Sequence, residues 1–467
     1  MTIYTILVES KKSDNNCLAA FAHYPQGRSL VKYAIVGTGS RAELFVSALV
    51  NKYRSDHELV ALCDSNPQRI KYHQERIRSQ FPDVEVQGFN SEDFDLMIRS
   101  KSPEVVIVTT VDAQHHKYII RALQMGCNVI TEKPMTTSDQ NCRDILRAVD
   151  LSGLEVRVAF NYRWGVGVSR VKEILQDSIG PIHHVSLQYL LDTDHGADYF
   201  RRWHRNREMS GGLLVHKATH HFDLVNWWTN SVPETVFGIG KLAFYGDGNG
   251  PARVYSNRSE CSRDGIQHNP FQLDLSSSEK FRGLYKEAQK FDGYRRDMDV
   301  FGSGIDIEDT MSVIVGYRTG IQLSYSLVAY SSMEGFVVTF HGDRGRLQYE
   351  EIHRPRTRID EVGRNIDTDE DGWSSTITVQ NLFREARHEK VEIAEGGHGG
   401  ADPLMLRSLF GKETRKDPLQ RIAGHQQGAA SIMIGAAANR SICEGTPANI
   451  SELCPELGSA SRLSELI

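Results

Sequence analysis

Short apolar runs closed by polar, glycine-bearing turns set the pattern of the chain from Lys32 to Thr131. Lys32-Tyr33-Ala34-Ile35-Val36 and Glu58-Leu59-Val60-Ala61-Leu62-Cys63 read as strands. Val105-Val106-Ile107-Val108-Thr109-Thr110 is apolar enough to be covered on both faces. Tyr118 to Met125 reads as a helix stopped by Gly126, and Asn128-Val129-Ile130-Thr131 as the next strand. Strands alternating with helices predict an α/β domain built on a parallel, doubly wound sheet. Past Asp150 the pattern changes. Glu155-Val156-Arg157-Val158-Ala159-Phe160 reads as a crossing strand. Residues 320–327 and 335–340 then alternate apolar and polar positions, which predicts a second α/β domain with a large, open, mostly antiparallel sheet.

The first strand runs directly into Gly37-Thr38-Gly39-Ser40-Arg41-Ala42, a G-x-G-x-x-A turn. The first glycine permits the tight turn and the second lets backbone approach a pyrophosphate. The small third residue lets the following helix pack closely, its N-terminal N–H groups facing phosphate. Asp64, 22 residues beyond Ala42, ends the second strand, where a carboxylate accepts the ribose hydroxyls of an adenosine. Strand, turn and acid together predict a dinucleotide-binding Rossmann domain over residues 31–155, after an extension of residues 1–30. A substrate-binding and oligomerisation domain is expected over 156–455. Residues 246–300 and 353–374 read as insertions or long loops. Asp64 favours NAD, because it repels a 2′-phosphate, while Arg69 leaves NADP open.

Composition narrows the class. Across 467 residues, 40% hydrophobic and 24% charged, the chain is a globular protein. Its net charge of −6 argues against a general nucleic-acid binder. Seven cysteines without a C-x-x-C pair indicate reduced thiols and no cysteine metal site. No apolar run is long enough to span a bilayer, and no cleavable leader is evident, so a cytoplasmic location is expected.

Thr131-Glu132-Lys133-Pro134 falls at the carboxyl edge of the predicted sheet, where ligands bind. An ammonium there favours the alkoxide that develops as a hydroxyl carbon loses hydride. Gly37-Thr38-Gly39, Asp64, His115, Gly126 and Glu132-Lys133-Pro134, with Gly211-Gly212, His220 and Asp223 further on, together resemble the glucose-fructose oxidoreductase / inositol dehydrogenase (Gfo/Idh/MocA) family over roughly residues 31 to 450. The resemblance implies NAD(P) as cofactor, a sugar, cyclitol or polyol substrate, and a homo-oligomer joined through the open sheet. It also implies Lys133 and His220 as catalytic residues, with a cis peptide before Pro134. A cofactor site of Gly37, Thr38, Gly39, Ser40, Arg41, Asp64, His115, Glu132 and Lys133 follows.

One departure stands out. The family carries Asp four residues before the catalytic His, and here that position is His216. Residues 210–228 read as one helix with a core stripe of Ala218, Phe222 and Val225, and with His216, His220, Asp223 and Trp227 opposite. His216 is thus a third catalytic candidate, and Arg163, Trp203, His204, Lys217 and His398 are candidate substrate contacts. His216 and His220 have the i, i+4 spacing of a zinc pair. The metalloprotease glutamate is missing, and His398 or His425 would have to complete the set, so no metal is expected. The reading is an NAD(P)-dependent oxidoreductase acting on a secondary hydroxyl or ketone. Its rivals are a redox-neutral, NAD-dependent glycosidase or lyase and a non-catalytic NAD(P)-binding sensor.

Overall fold

A computed structural model of the protein describes residues 30–249, 271–356, 373–392, 399–412 and 417–466. The expected N-terminal extension, apart from Leu30, and His398 lie outside these residues. Six strands, β1 (Val31–Val36), β2 (His57–Asp64), β3 (Gln87–Asn90), β4 (Val105–Val108), β5 (Asn128–Thr131) and β6 (Val156–Val158), form a parallel sheet in the order β6-β5-β4-β1-β2-β3. This is the doubly wound Rossmann order, whose switch point lies between β1 and β4. Ile35, Ile107 and Ile130 are fully buried, as the continuous apolar runs require.

Local chemistry sets the helix boundaries. Helix Pro67–Gln80 opens with proline in its first turn and the Asn66 side chain accepting from Gln68 N. Helix Asp139–Ser152 is capped by Ser138 and ends at Gly153, whose φ of 65° suits glycine.

The second sheet holds β7 (Ile182–Asp192), β8 (Pro233–Lys241), β9 (Thr310–Tyr317), β10 (Gln322–Ser331), β11 (Glu334–Gly342), β12 (Gly345–Arg354), β13 (Ser374–Asn381) and β14 (Arg387–Lys390). All neighbours pair antiparallel except β7 and β10. Two short late strands tie the chain back. β15 (Ala423–Gly424) adds antiparallel to β6 in the first sheet, and β16 (Ala448–Asn449) adds to β8 in the second. Met311, Val313 and Val315 on β9 and Leu323, Tyr325 and Leu327 on β10 alternate inward. They lie in one core with the apolar residues of helices Thr219–Thr229 and His425–Glu444. Gly435 lets the latter helix lie against the Leu214 backbone, since a Cβ there would stand 2.4 Å from Leu214 O.

Two expectations need correction. The strand at Val156–Val158 belongs to the first sheet, parallel to β5, so a boundary after residue 155 would split the Rossmann core. Three residues are too few to show which sheet they join. The expected helix over 210–228 is also broken: Gly211 and Gly212 both have positive φ, Leu213–His216 forms one turn, and a second helix runs from Thr219 to Thr229. Every residue from Thr219 to Trp228 is buried, so there is no solvated face.

That burial is made tolerable by one ion pair. Arg163, on the turn Asn161–Trp164 that follows β6, is fully buried and forks onto Asp223 through Nε (2.7 Å) and Nη2 (2.6 Å). Its Nη1 donates to Gln427 at 2.7 Å, and Ser431 Oγ donates to the same carboxylate at 3.2 Å. The expectation that Arg163 contacts substrate is therefore corrected: its donors are spent on holding the chain crossing, helix Thr219–Thr229 and helix His425–Glu444 together. Arg163→Met leaves Asp223 buried without its cation and is expected to cost on the order of 3–5 kcal/mol, read as a melting point lowered by several degrees. A melting point within about one degree of wild type would show that the pair does not hold the fold.

Candidate active site

The β1 turn has the shape a dinucleotide needs. Gly37 sits at φ 86° with Thr110 N only 2.5 Å from where a Cβ would stand, whereas a Cβ on Gly39 would meet nothing within 4 Å. The first glycine is required by close packing of β1 on the β4 loop, and the second leaves room over the turn. Asp64 ends β2 with one carboxylate oxygen accepting from Thr38 N (2.6 Å) and Thr38 Oγ1 (3.0 Å) and the other from Asn66 N (2.8 Å). The carboxylate is thereby aimed by its own loop, with lone pairs remaining for ribose hydroxyls. These residues fit the adenosine and pyrophosphate of NAD.

Arg41 and Glu132 are brought together as an ion pair (2.6 Å), and Arg41 also holds Asp402, which accepts from Asn161 Nδ2 at 2.8 Å. Their charges clamp the turn to the β5 end and to helix Ala401–Phe410. His115 is turned inward. Its Nδ1 faces Pro134 O (2.8 Å) and its Nε2 faces Thr110 O (3.2 Å), so it ties the ends of β4 and β5 together. Burial keeps it uncharged by lowering its pKa. The Lys133–Pro134 peptide is cis.

Lys133 reaches across to the second domain, its Nζ donating to His216 O at 3.1 Å. Burial lowers its ammonium to about 8, although Asp112 and Glu132 beside it pull the other way. His216 has a carboxylate after all. Its Nδ1 lies 2.5 Å from Oδ2 of Asp112, a buried residue at the carboxyl end of β4. The acid that the resemblance places on the helix comes here from the other domain. Burial raises Asp112 well above the carboxylate range and lowers His216 well below the imidazole range, with Lys133, Arg202 and Lys217 adding to the latter.

His220 stacks on Tyr162, ring centroids 4.1 Å apart and planes 14° from parallel. Tyr162 OH accepts from Lys217 Nζ at 3.3 Å, and that ammonium also lies 4.9 Å from the Tyr189 ring centre. Burial lowers Lys217 to about 8, opposed by Glu334. Glu334 opens β11 beside His195 Nδ1 (2.8 Å) and His353 Nδ1 (3.6 Å). Burial raises its pKa, but these histidines outweigh that and hold it well below the usual range, while Glu334 and Glu351 lift His353 to about 9. Tyr199 OH meets His195 Nε2 at 3.1 Å, and its ring stands edge-on to His216 at 5.4 Å.

Of the candidate substrate contacts, Trp203 is half-buried and stacks on His204 at 3.6 Å; His204 is buried against His216 at 4.1 Å. His204 therefore backs His216 and is itself closed off from the surface. His195 and Tyr199 belong to the segment His195 to Arg205 that the sequence reading takes as a pocket wall, whereas Asp112, Tyr162 and Glu334 were not among its candidates. Of these three only Asp112 carried a signal, its place just past β4 at the switch-point edge.

The comparisons with known proteins follow this geometry. Residues 31–160 match the GFO_IDH_MocA profile, described as "Oxidoreductase family, NAD-binding Rossmann fold", and residues 171–450 match its partner, "Oxidoreductase family, C-terminal alpha/beta domain". The chain is 37% identical over 436 residues to "Putative oxidoreductase YteT" of Bacillus subtilis (strain 168), covering 89% of this chain and 97% of that one. It is 25% identical over 196 residues to D-glucoside 3-dehydrogenase of Escherichia coli (strain K12), covering 42% of this chain and 53% of that one. Among solved structures, the WlbA dehydrogenase from Bordetella pertussis, in complex with NADH and UDP-GlcNAcA, superposes with a TM-score of 0.57 at 17% identity, covering 90% of this chain and 99% of that one. Aldose-aldose oxidoreductase from Caulobacter crescentus gives 0.57 at 17% identity, covering 90% of this chain and all of that one, so both share the fold. With both of its domains matched in order and nearly its whole length aligned to one relative, the chain belongs to the Gfo/Idh/MocA family of NAD-binding oxidoreductases.

Proposed function

We propose that the protein transfers hydride between NAD and a secondary hydroxyl or ketone of a sugar, cyclitol or related polyol. The observation that carries this reading is the contact of Lys133, just past the end of β5, with His216 of the second domain, four residues before His220, at the carboxyl edge where β1 presents its dinucleotide turn. Bound NAD supplies the hydride acceptor. Gly37, Thr38, Gly39 and Ser40 cradle its pyrophosphate, and Asp64 takes its ribose. The Lys133 ammonium donates to the substrate oxygen and favours the alkoxide. His220, held flat against Tyr162, takes the hydroxyl proton as the carbinol carbon becomes a ketone. His216, oriented by Asp112, and Lys217 face the neighbouring hydroxyls.

The substrate class is supported by what relatives are named for, scyllo-inositol 2-dehydrogenase (NADP(+)) of Bacillus subtilis among them. D-glucoside 3-dehydrogenase among the relatives acts, by its name, on a sugar derivative.

A second reading has its own observation. Glu334, His195 and Tyr199 form an additional acid–base set on the β11 side of the site, more titratable groups than hydride transfer needs. Such a set could remove the proton next to a transient ketone and protonate a departing glycosidic oxygen, after which the hydride returns and the net reaction is redox-neutral.

Lys133→Met and His220→Ala are each expected to retain NAD binding while losing on the order of a hundredfold in turnover. Near-normal turnover would remove that residue from the chemistry. Because Lys133 acts as an ammonium, turnover should fall as pH rises through about 8; a rate still climbing at about pH 10 would give it the opposite role.

Counting NADH and product in one reaction, with glycosides among the substrates, separates the two readings. One NADH per product is expected. Many cleavage events without accumulated NADH, lost once bound nucleotide is stripped, would replace dehydrogenation with transient oxidation.

A further inference from the structure

Residues 271–300, inserted between β8 and β9 of the second domain, dock on the Rossmann domain beside Asp64. Asn66 Nδ2 donates to Ala288 O at 2.9 Å, Gln68 Nε2 to Glu287 at 3.0 Å, and Lys280 pairs with Glu43 at 2.6 Å. Tyr72 of helix Pro67–Gln80 joins Leu275, Leu284 and Tyr285 of the insertion in a small apolar core of their own. Gly283 lies so close to the Tyr72 ring that a Cβ would stand 2.5 Å from it. The insertion is thus a packed outer wall to the end of β2.

At the centre of this wall is Arg69. Its Nη2 pairs with Asp292 Oδ2 at 2.7 Å, its Nη1 lies 3.7 Å from Asp64 Oδ1, its Nε donates to Leu284 O at 3.3 Å, and its guanidinium carbon stands 5.8 Å from the Tyr294 ring centre. Its side chain is 13% exposed. An arginine beside the ribose-binding acid is the group that accommodates the 2′-phosphate of NADP in Rossmann domains. Here Nη2 and Nε are held by the insertion, while Nη1 faces Asp64 at ion-pair distance. Turning the fork toward a phosphate means breaking the Asp292 pair and leaving that carboxylate near the added charge.

We infer that Asp292 is a cofactor-specificity residue: it sequesters Arg69 from the 2′-phosphate, so that the insertion, from outside the nucleotide-binding domain, makes the protein selective for NAD over NADP. The inference rests on Asp64 as the ribose ligand. It adds Arg69, Asp292 and the backbone of Leu284 to the wall of the adenosine site.

The test is nucleotide binding to the stripped, full-length protein, by calorimetric titration of NAD⁺ and NADP⁺ into wild type, Asp292→Asn, Arg69→Ala and the double variant. Wild type is expected to bind NAD⁺ at least about tenfold more tightly. Asp292→Asn should tighten NADP⁺ by about tenfold, the scale of one charge-assisted hydrogen bond, and leave NAD⁺ within about threefold, which also reports an intact fold; Asp292→Ser serves if the Asn variant does not fold. The gain in NADP⁺ affinity should vanish in the Arg69→Ala background. An unchanged NADP⁺ affinity in Asp292→Asn, with NAD⁺ binding intact, overturns the sequestration alone. The same gain with Arg69 absent also overturns it, since loss of a negative charge would then be the whole effect. A wild type that binds NADP⁺ more tightly than NAD⁺, or binds neither, overturns the Asp64 assignment on which the inference stands.

Discussion

The buried pairing of Arg163 with Asp223 is the constraint on which the site depends. A helix buried on every side, carrying His220, His221 and Asp223, would carry a large desolvation cost if its carboxylate were unpaired. Arg163 meets that carboxylate with a two-pronged fork, and Gln427 and Ser431 satisfy what remains. The consequence is positional. Arg163 follows Tyr162 in the chain, so the interaction that anchors the helix also sets the tyrosine ring flat on His220, one turn before Asp223. Anchor and catalytic histidine share a helix, and the stacked ring and the fork share a turn. Geometry at His220 is thus inherited from a contact that touches no substrate.

The same low-polarity surroundings explain the electrostatics. Lys133 and Lys217 are both brought down to about 8 by burial, within reach of the working range of an acid–base group. Their charges are not left alone: Asp112 and Glu132 oppose the shift at Lys133, and Glu334 opposes it at Lys217. Asp112 comes from the Rossmann side and His216 from the other, so the pair at 2.5 Å is complete only when the two domains meet. Lys133 Nζ on His216 O makes the same crossing. Chemistry and domain contact are one set of bonds.

How far the sequence could be read follows from which interactions are local. Gly37, Gly39 and Asp64 were legible because their spacing is set by one strand–turn–helix–strand unit, and Lys133 because it lies just past the end of β5 of the same sheet. Asp112 and Glu334 were not, since their meaning lies in partners about a hundred residues or more distant, His216 for one and His195 for the other. The helical period at 210–228 misled for a related reason. Period sorts residues into faces, but a helix packed on all sides has no polar face, and Asp223 and His220 there are met by an ion pair and a ring contact from another segment. Arg163 failed in the same way, its charge being answered by Asp223 on another element.

The insertion between β8 and β9 extends this logic to the cofactor. From the fingerprint alone Arg69 looks available to a 2′-phosphate, being near Asp64 in sequence and in space. Two of its nitrogens are nonetheless held by Asp292 and Leu284, more than two hundred residues away. A charge's availability depends on what already holds it, and here the holder lies on the second domain. The insertion also reaches the other way, Arg296 forking onto Asp198 of helix Thr193–Arg201 at 2.5 and 3.0 Å. One segment thus braces the adenosine end of the cofactor site and the helix that carries His195 and Tyr199.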